Sequence, residues 1–421
     1  MKNFKARPWL LIALINFFVV ALAGLTMRYK NIYSLAAIDQ KNLMHGHSHF
    51  AFTSWIAMAL MVFMVQLLQN AELKTSYAKY NCLLLINLLC SYGMLTSFTL
   101  QGYALCSIIL STSSILISFC FIYYYLRDLK RLTYYTLSPQ WLKAALALWA
   151  FSALGAFTLA FLMATHNSNQ DLYFMGIYLF LHFQYNGWFL FAAIGIFLAF
   201  IEKQLPRPWQ QFASTANKLF WIMLVTVAPA YLLSIVWMKL PRPFIWIADL
   251  TAVAQLLIIA LFIRLLYLIS KNKQLSLISP TTRWLWRLAA SAFILKVFLQ
   301  AGSVIPLFNV FAFSVRGIVI GYLHLCFIGM LSLFILGQIH QGLKGSPSRL
   351  KIHTVALVIF ITGFLLQEIM LMIQGIGVME AVVIKSAGQL LLFAALLMAV
   401  GLLVIVISGC RQNKKDISSV L

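Results

Sequence analysis

Hydrophobic residues along this chain come in long unbroken runs separated by short polar stretches. Twelve runs of spanning length fall roughly at 8–28, 49–69, 80–100, 103–126, 142–165, 172–200, 217–238, 244–270, 284–306, 312–338, 352–374 and 381–408. Each approaches or exceeds the ~20 residues that a helix needs to cross a bilayer. Lipid admits only helices or closed barrels as spanning structures, and these runs lack the two-residue alternation of barrel strands. The pattern predicts an all-α polytopic membrane protein of about twelve transmembrane helices, with both termini on one side. The longest interruptions are 28–48, 201–216 and 271–283, with Pro206 and Pro208 in the second. Pro241 and Pro243 mark the turn between helices 7 and 8. No short repeat or soluble domain is visible. The chain reads as a single transmembrane domain, 1–421, with short cytoplasmic tails at 1–7 and 411–421. The first run has a basic start and an Ala21-Leu22-Ala23 resembling a signal cleavage site. It continues past that site, so a retained helix is expected.

Composition strengthens this picture. The chain has 421 residues, 62% of them hydrophobic and only 10% charged, with a mean hydropathy of +0.91. A soluble core cannot absorb that much apolar surface. A net charge of +22 would suit a nucleic acid partner, but the basic residues form no soluble patch. With the N-terminus in the cytoplasm, 23 of the 31 Lys and Arg residues fall on the cytoplasmic side, as the positive-inside rule requires. The expected partner is therefore the lipid bilayer and not nucleic acid. The six cysteines lie in or beside apolar runs without any Cys-x-x-Cys, so they read as small buried residues and not as disulfides or thiolate metal ligands. Trp9, Trp141, Trp237 and Trp246 stand near run ends, where interfacial aromatics belong.

The candidate chemistry is histidine. Three of the eight histidines fall in Met44-His45-Gly46-His47-Ser48-His49, at the mouth of helix 2, while His182 and His324 lie inside helices 6 and 10. An imidazole in lipid is costly without a partner, which makes intramembrane histidines functional candidates. On the predicted topology all three sites share the outer half of the membrane. At ~100° per residue, His45 and His49 share one helix face and His47 points almost oppositely. His45 and His49 also have i, i+4 metal-ligand spacing. His166, His340 and His353 are expected in solvated loops.

Around these residues the sequence reads His47-Ser-His49-Phe-Ala-Phe-Thr-Ser-Trp55, His182-Phe-Gln-Tyr-Asn-Gly187-Trp188 and Gly321-Tyr322-Leu-His324. In helix order and in these motifs the chain resembles subunit I of the haem–copper oxidase and nitric-oxide reductase superfamily. The resemblance implies a haem–copper oxidase subunit I-like bundle in a bacterial-type inner (plasma) membrane. It also implies one low-spin haem b held by His324 and one of His47, His49 and His45, with His47 preferred. Two neutral imidazoles cap both faces of such an iron and leave no open position. Arg28, Lys30, Arg242 and Arg316 are predicted near the outer helix ends, where haem propionates or headgroups need cations. His182 falls at the family's helix 6 copper-ligand position. Tyr322 stands where the family has its catalytic-haem histidine, and helix 7 has no histidine. Copper is therefore not expected, and the binuclear centre is incomplete.

The resulting expectation is a haem-binding, oxidase-like protein for electron transfer, redox or gas sensing, or assembly. Its redox partner would be another subunit, a quinone or a cytochrome. Two alternatives compete with it: a divergent oxygen or nitric-oxide reductase using His182 plus unorthodox ligands, and a metal or small-solute transporter using His45, His49 and His182. Lys296 in helix 9 and Glu368 in helix 11 are buried ionisable residues suited to a proton route or to pairing. Gln66, Gln255, Gln300, Gln367, Gln374 and Gln389 are candidates for interhelical hydrogen bonds.

Overall fold

Our computed structural model describes residues 4–204, 210–271, 278–342, 350, 352–382 and 384–418, with the side chains of 413–418 excepted. Pro206, Pro208, parts of the loops 201–216 and 271–283, and parts of both tails lie outside the described residues. Among the described residues there is no strand, and eleven helices are long and apolar enough to span. They are α1 (Ala6–Lys30), α2 (Gln40–Asn70), α3 (Ala78–Gln101), α4 (Leu105–Leu129), α5 (Ser138–Ala164), α6 (Gln170–Gln204), α8 (Arg242–Ser270), α9 (Pro280–Gly302), α10 (Arg316–Gln341), α11 (Thr354–Met379) and α12 (Ala387–Gln412). A twelfth, α7, is a broken pair, Gln210–Val227 and Pro229–Ile235, bent by 57°. The described chain is thus all-helical, with up to twelve spans.

Three boundaries depart from the hydropathy reading. First, α2 begins at Gln40, so the histidine cluster lies inside a helix and not at its mouth. Asp39 starts it early: its carboxylate accepts the Asn42 N–H at 2.8 Å, an N-cap that outweighs the polarity of the first turns. Second, α7 is not one straight run, because Pro229 has no N–H to give the Val225 carbonyl and a proline ring disrupts the preceding turn. Tyr231 N–H instead bonds the Ala228 carbonyl at 3.1 Å, in the tighter three-residue pattern. Third, α9 stops at Gly302, and a short helix, Pro306–Ser314, precedes α10. Proline at its first position suits a helix start, where the missing N–H is not needed.

The chain packs as two compact units: residues 1–128, 280–286 and 332–421, and residues 129–279 and 287–331. In the first, α2 packs on α1 and α3, and α11 and α12 pair closely. A Cβ on Gly46 would meet the Leu95 carbonyl at 3.0 Å, and one on Gly401 would meet Phe360 N at 2.7 Å. These are small-residue approaches of the kind that hold membrane helices together. Its buried charge is Asp128, whose carboxylate accepts from Lys79 (2.7 Å), Tyr80 (2.8 Å) and Thr75 (2.9 Å).

In the second unit α5 and α6 touch backbone to backbone, since a Cβ on Gly155 would lie 2.5 Å from the Gly176 carbonyl. Glu202, near the end of α6, caps the start of α5. It accepts from Thr136 N (2.8 Å), Thr136 Oγ1 (2.7 Å), Leu137 N (2.9 Å) and Ser138 N (3.1 Å). These are four donors at a positive helix end. Burial, together with Tyr134 and Glu202, raises the nearby Tyr135 phenol above its ordinary value.

Two helices stand out for burial. In the most apolar stretch of α2 83% of residues are buried, and in α6 94%, against 22–50% in the other single spans. These two carry His47 and His182. Other side chains correct the sequence expectations. Trp141 is fully buried and so is not an interfacial anchor, whereas Trp246 is exposed. His340 is buried, not solvated, and its Nδ1 accepts the Ile352 N–H at 3.0 Å. All six cysteines are free, but only Cys90 and Cys326 are buried, while Cys82, Cys106 and Cys120 are exposed.

Candidate functional site

The rotational reading of the histidine cluster holds in three dimensions. His45 and His49 both face α3 and the turn after it. His49 stacks on Phe98 with centroids 4.5 Å apart, and its Nε2 lies 3.4 Å from the Tyr103 hydroxyl. His45 meets the Tyr103 ring edge-on at 4.9 Å. His47 turns the other way, toward α1, where its Nδ1 lies 3.1 Å from the Val20 carbonyl oxygen. A carbonyl only accepts, so Nδ1 carries the proton and Nε2 presents its lone pair. Nε2 makes no hydrogen bond to any described residue. Gly24 adjoins the ring: a Cβ there would sit 3.6 Å from His47 Cε1.

Each histidine-bearing span changes its winding just past the histidine. Residues Ala51–Ala57 of α2, Phe183–Phe189 of α6 and Leu325–Ser332 of α10 form π-helical segments. Such segments are rare and concentrate at functional sites. The π turn in α2 is supported by side chains that occupy its displaced carbonyls. Asn16 donates to Ser54 O (2.9 Å) and Asn87 to Thr53 O (3.0 Å). Thr53 and Ser54 hydroxyls bond the carbonyls of His49 and Phe50. Trp55 then locks the segment, stacked on Phe17 at 4.4 Å and donating to Ser332 at 2.8 Å. In α6 the parallel is close: Trp188, six residues after His182 as Trp55 is after His49, stacks on Trp149 at 4.2 Å. Asn16 and Asn87 escaped the sequence reading, as did Ser91, which donates to the Thr53 hydroxyl at 2.7 Å, and Tyr92, which donates to Asn16 Oδ1 at 2.9 Å. Their only mark there is that they are polar residues within apolar runs.

His182 sits in a different setting. It is fully buried, with Nε2 2.7 Å from the Val227 carbonyl at the α7 break. Nε2 is therefore the protonated nitrogen and Nδ1 the acceptor. Asn186 Nδ2, one helical turn on, donates to Nδ1 at 3.0 Å, and Ser234 Oγ lies 3.4 Å from it. Both ring nitrogens are engaged. The chain of bonds continues, since Asn186 Oδ1 accepts from Lys296 Nζ, which also donates to Gln300 Oε1 at 2.6 Å. Gln184 bonds Ser152 at 3.0 Å, and Tyr185 packs against Tyr322 and Phe327. Of Gln184, Tyr185 and Asn186, only Asn186 is its hydrogen-bond partner.

The remaining candidates are placed as follows. His324 ends the first α-helical part of α10 and is half-buried, as is Tyr322 one half-turn before it. Arg316 opens α10 and is exposed. Glu368 is half-buried on α11 and hydrogen-bonds Gln367. Lys296 is paired with the two amides, not with a carboxylate. Among the described residues, no three His, Cys, Asp or Glu side chains come together in a metal-holding group. No protein-family model matches this chain, and no curated protein matches it.

Proposed function

We propose that this chain is a haem-binding, oxidase-like integral membrane protein with one low-spin haem b site and an incomplete haem–copper centre. The observation that supports this most is His47. Its Nδ1–H is tied to a backbone carbonyl, and its Nε2 lone pair has no hydrogen-bond partner among the described residues. Metal-bound histidines take this posture, because the bond on the far nitrogen fixes tautomer and ring plane and raises ligand basicity. A bare imidazole nitrogen inside a membrane helix otherwise carries an uncompensated desolvation cost. When bound, haem would supply one-electron transfer at a potential set by burial and by the bonds on its ligands.

The chain's own residues set that environment. Val20 orients the His47 ring, Gly24 leaves room beside it, and the Trp55–Phe17 stack holds the winding beneath it. His324 is the second ligand that the resemblance implies. His49 and His45 are the alternatives on α2, although their rings already pack on Phe98 and Tyr103. Arg316 is the cation assigned to the propionates. With His182 bonded on both nitrogens, we assign no copper to it and no catalytic haem to Tyr322. The role is electron transfer, redox or gas sensing, or assembly, with a redox subunit, a quinone or a cytochrome as the electron partner. The bias of basic residues supports cytoplasmic termini, and the resemblance implies a bacterial-type inner membrane.

The test is a reduced-minus-oxidised optical spectrum of the purified protein, with and without carbon monoxide. The expected result is a b-type low-spin signal that ignores carbon monoxide, disappears in His47→Ala and persists in His49→Ala. A protein isolated without haem from haem-replete cells, or an unchanged spectrum in His47→Ala, overturns the proposal.

A further inference from the structure

The second unit holds a buried cation with no paired anion. Lys296 is 2% exposed, and its ammonium donates to Asn186 and Gln300, both neutral amides. Beside it lies a cavity of about 30 Å³ lined by Asn186, Thr226, Gln255, Lys296 and Gln300 among apolar neighbours, with no carboxylate in its wall. Gln255 is 6% exposed and makes no hydrogen bond to any described residue.

The hydrogen-bond directions fix which atoms face Lys296. The Val227 carbonyl makes His182 Nε2 a donor, so Nδ1 accepts and the Asn186 amide nitrogen must face it. The amide oxygen of Asn186 therefore faces Lys296, and Gln300 presents a second oxygen. Two oxygens aimed at one amine favour its ammonium form. These bonds use two of the three ammonium hydrogens; the Tyr185 ring centroid lies 5.8 Å from Nζ, and Lys296 also lines the cavity. A buried charge in a membrane is costly until it is paired. The cavity exceeds the volume needed for one water molecule.

We propose that this cavity binds a single monatomic anion of chloride size, held by the Lys296 ammonium and the Gln255 amide N–H groups. The anion neutralises the buried charge and satisfies Gln255 in one step. No covalent chemistry is involved, and the site functions independently of haem content.

Chloride-36 binding to the purified full-length chain, read by scintillation proximity in gluconate buffer, tests this directly. Saturable uptake of about one chloride per chain is expected. Gln255→Leu removes only a neutral amide and should weaken binding about tenfold, as loss of one charge-assisted hydrogen bond does. Lys296→Met should abolish uptake. Absence of saturable uptake by the unaltered protein means that the cavity holds water alone, and overturns the proposal. Unchanged affinity in Gln255→Leu overturns it as well, whether or not Lys296→Met folds.

Discussion

His47 and His182 look alike in sequence: each lies in a long apolar run, a few residues before a tryptophan. In the fold they occupy the two most buried helices, and each precedes a π-helical segment. Their nitrogens differ. His47 spends one on the Val20 carbonyl and keeps the other unbonded among the described residues, while His182 spends both, on Val227 and Asn186. The difference comes from the neighbouring backbone. Pro229 breaks α7 and leaves carbonyls without helical donors, so His182 acts as a cap for that broken end. Beside His47, α1 is unbroken at Val20, and the ring bonds a carbonyl from outside the helix ladder. One ring therefore keeps a nitrogen lone pair without a hydrogen-bond partner among the described residues, and the other has both nitrogens engaged.

This contrast can be broken by exchanging the consequences. The largest effect is expected from His47→Ala, which should remove all bound haem while the protein remains folded, measured as haem per chain and by helical circular dichroism. Retention of haem would mean that the two histidines are not functionally distinct in the way described. Next is His182→Leu, which should keep the haem spectrum but destabilise the protein. It leaves the Val227 carbonyl and the Asn186 amide N–H without their His182 partner, at about 1–3 kcal/mol for each unsatisfied group. A lowered unfolding midpoint in detergent with an unchanged spectrum is the expected pair of readings, and haem loss would merge the two roles. Pro229→Ala should have a smaller, stabilising effect, about 1 kcal/mol, because it restores an N–H for the Val225 carbonyl. Hydrogen exchange around 225–231 should report the added protection. The smallest effect belongs to Gly24→Ala, whose methyl group would lie at ordinary contact distance, 3.6 Å, from His47 Cε1. Haem content should be unchanged there, and a bulkier Gly24→Leu should lower it.

The sequence made the spans legible because a membrane imposes length and hydropathy on every segment. It also made legible that His45 and His49 oppose His47, which follows from helical geometry alone. It did not disclose which nitrogen each ring presents. That depends on carbonyls of other helices, such as Val20 and Val227, and a carbonyl has no letter in a sequence. Pro229 was the available warning at α7, since a proline inside an apolar run marks a break. The start of α2 was missed for the opposite reason: one good cap at Asp39 overrode a polar first turn. Lys296 was visible as a buried charge, but its partners, Asn186 and Gln300, are neutral. A search for a counter-charge such as Glu368 looked for the wrong chemistry.

The π-helical segment in α2 has a consequence for how this chain tolerates change in length. A π turn amounts to one surplus residue wound into a helix, and Ala51–Ala57 is where that surplus is stored. Deleting one residue there would let the helix close into ordinary winding, like tightening a screw by about a quarter turn, ~100°. His47 would swing away from Val20 while Trp55 and everything beyond it stayed in place. A single lost codon at this point would thus act as a rotation of one half of the span against the other.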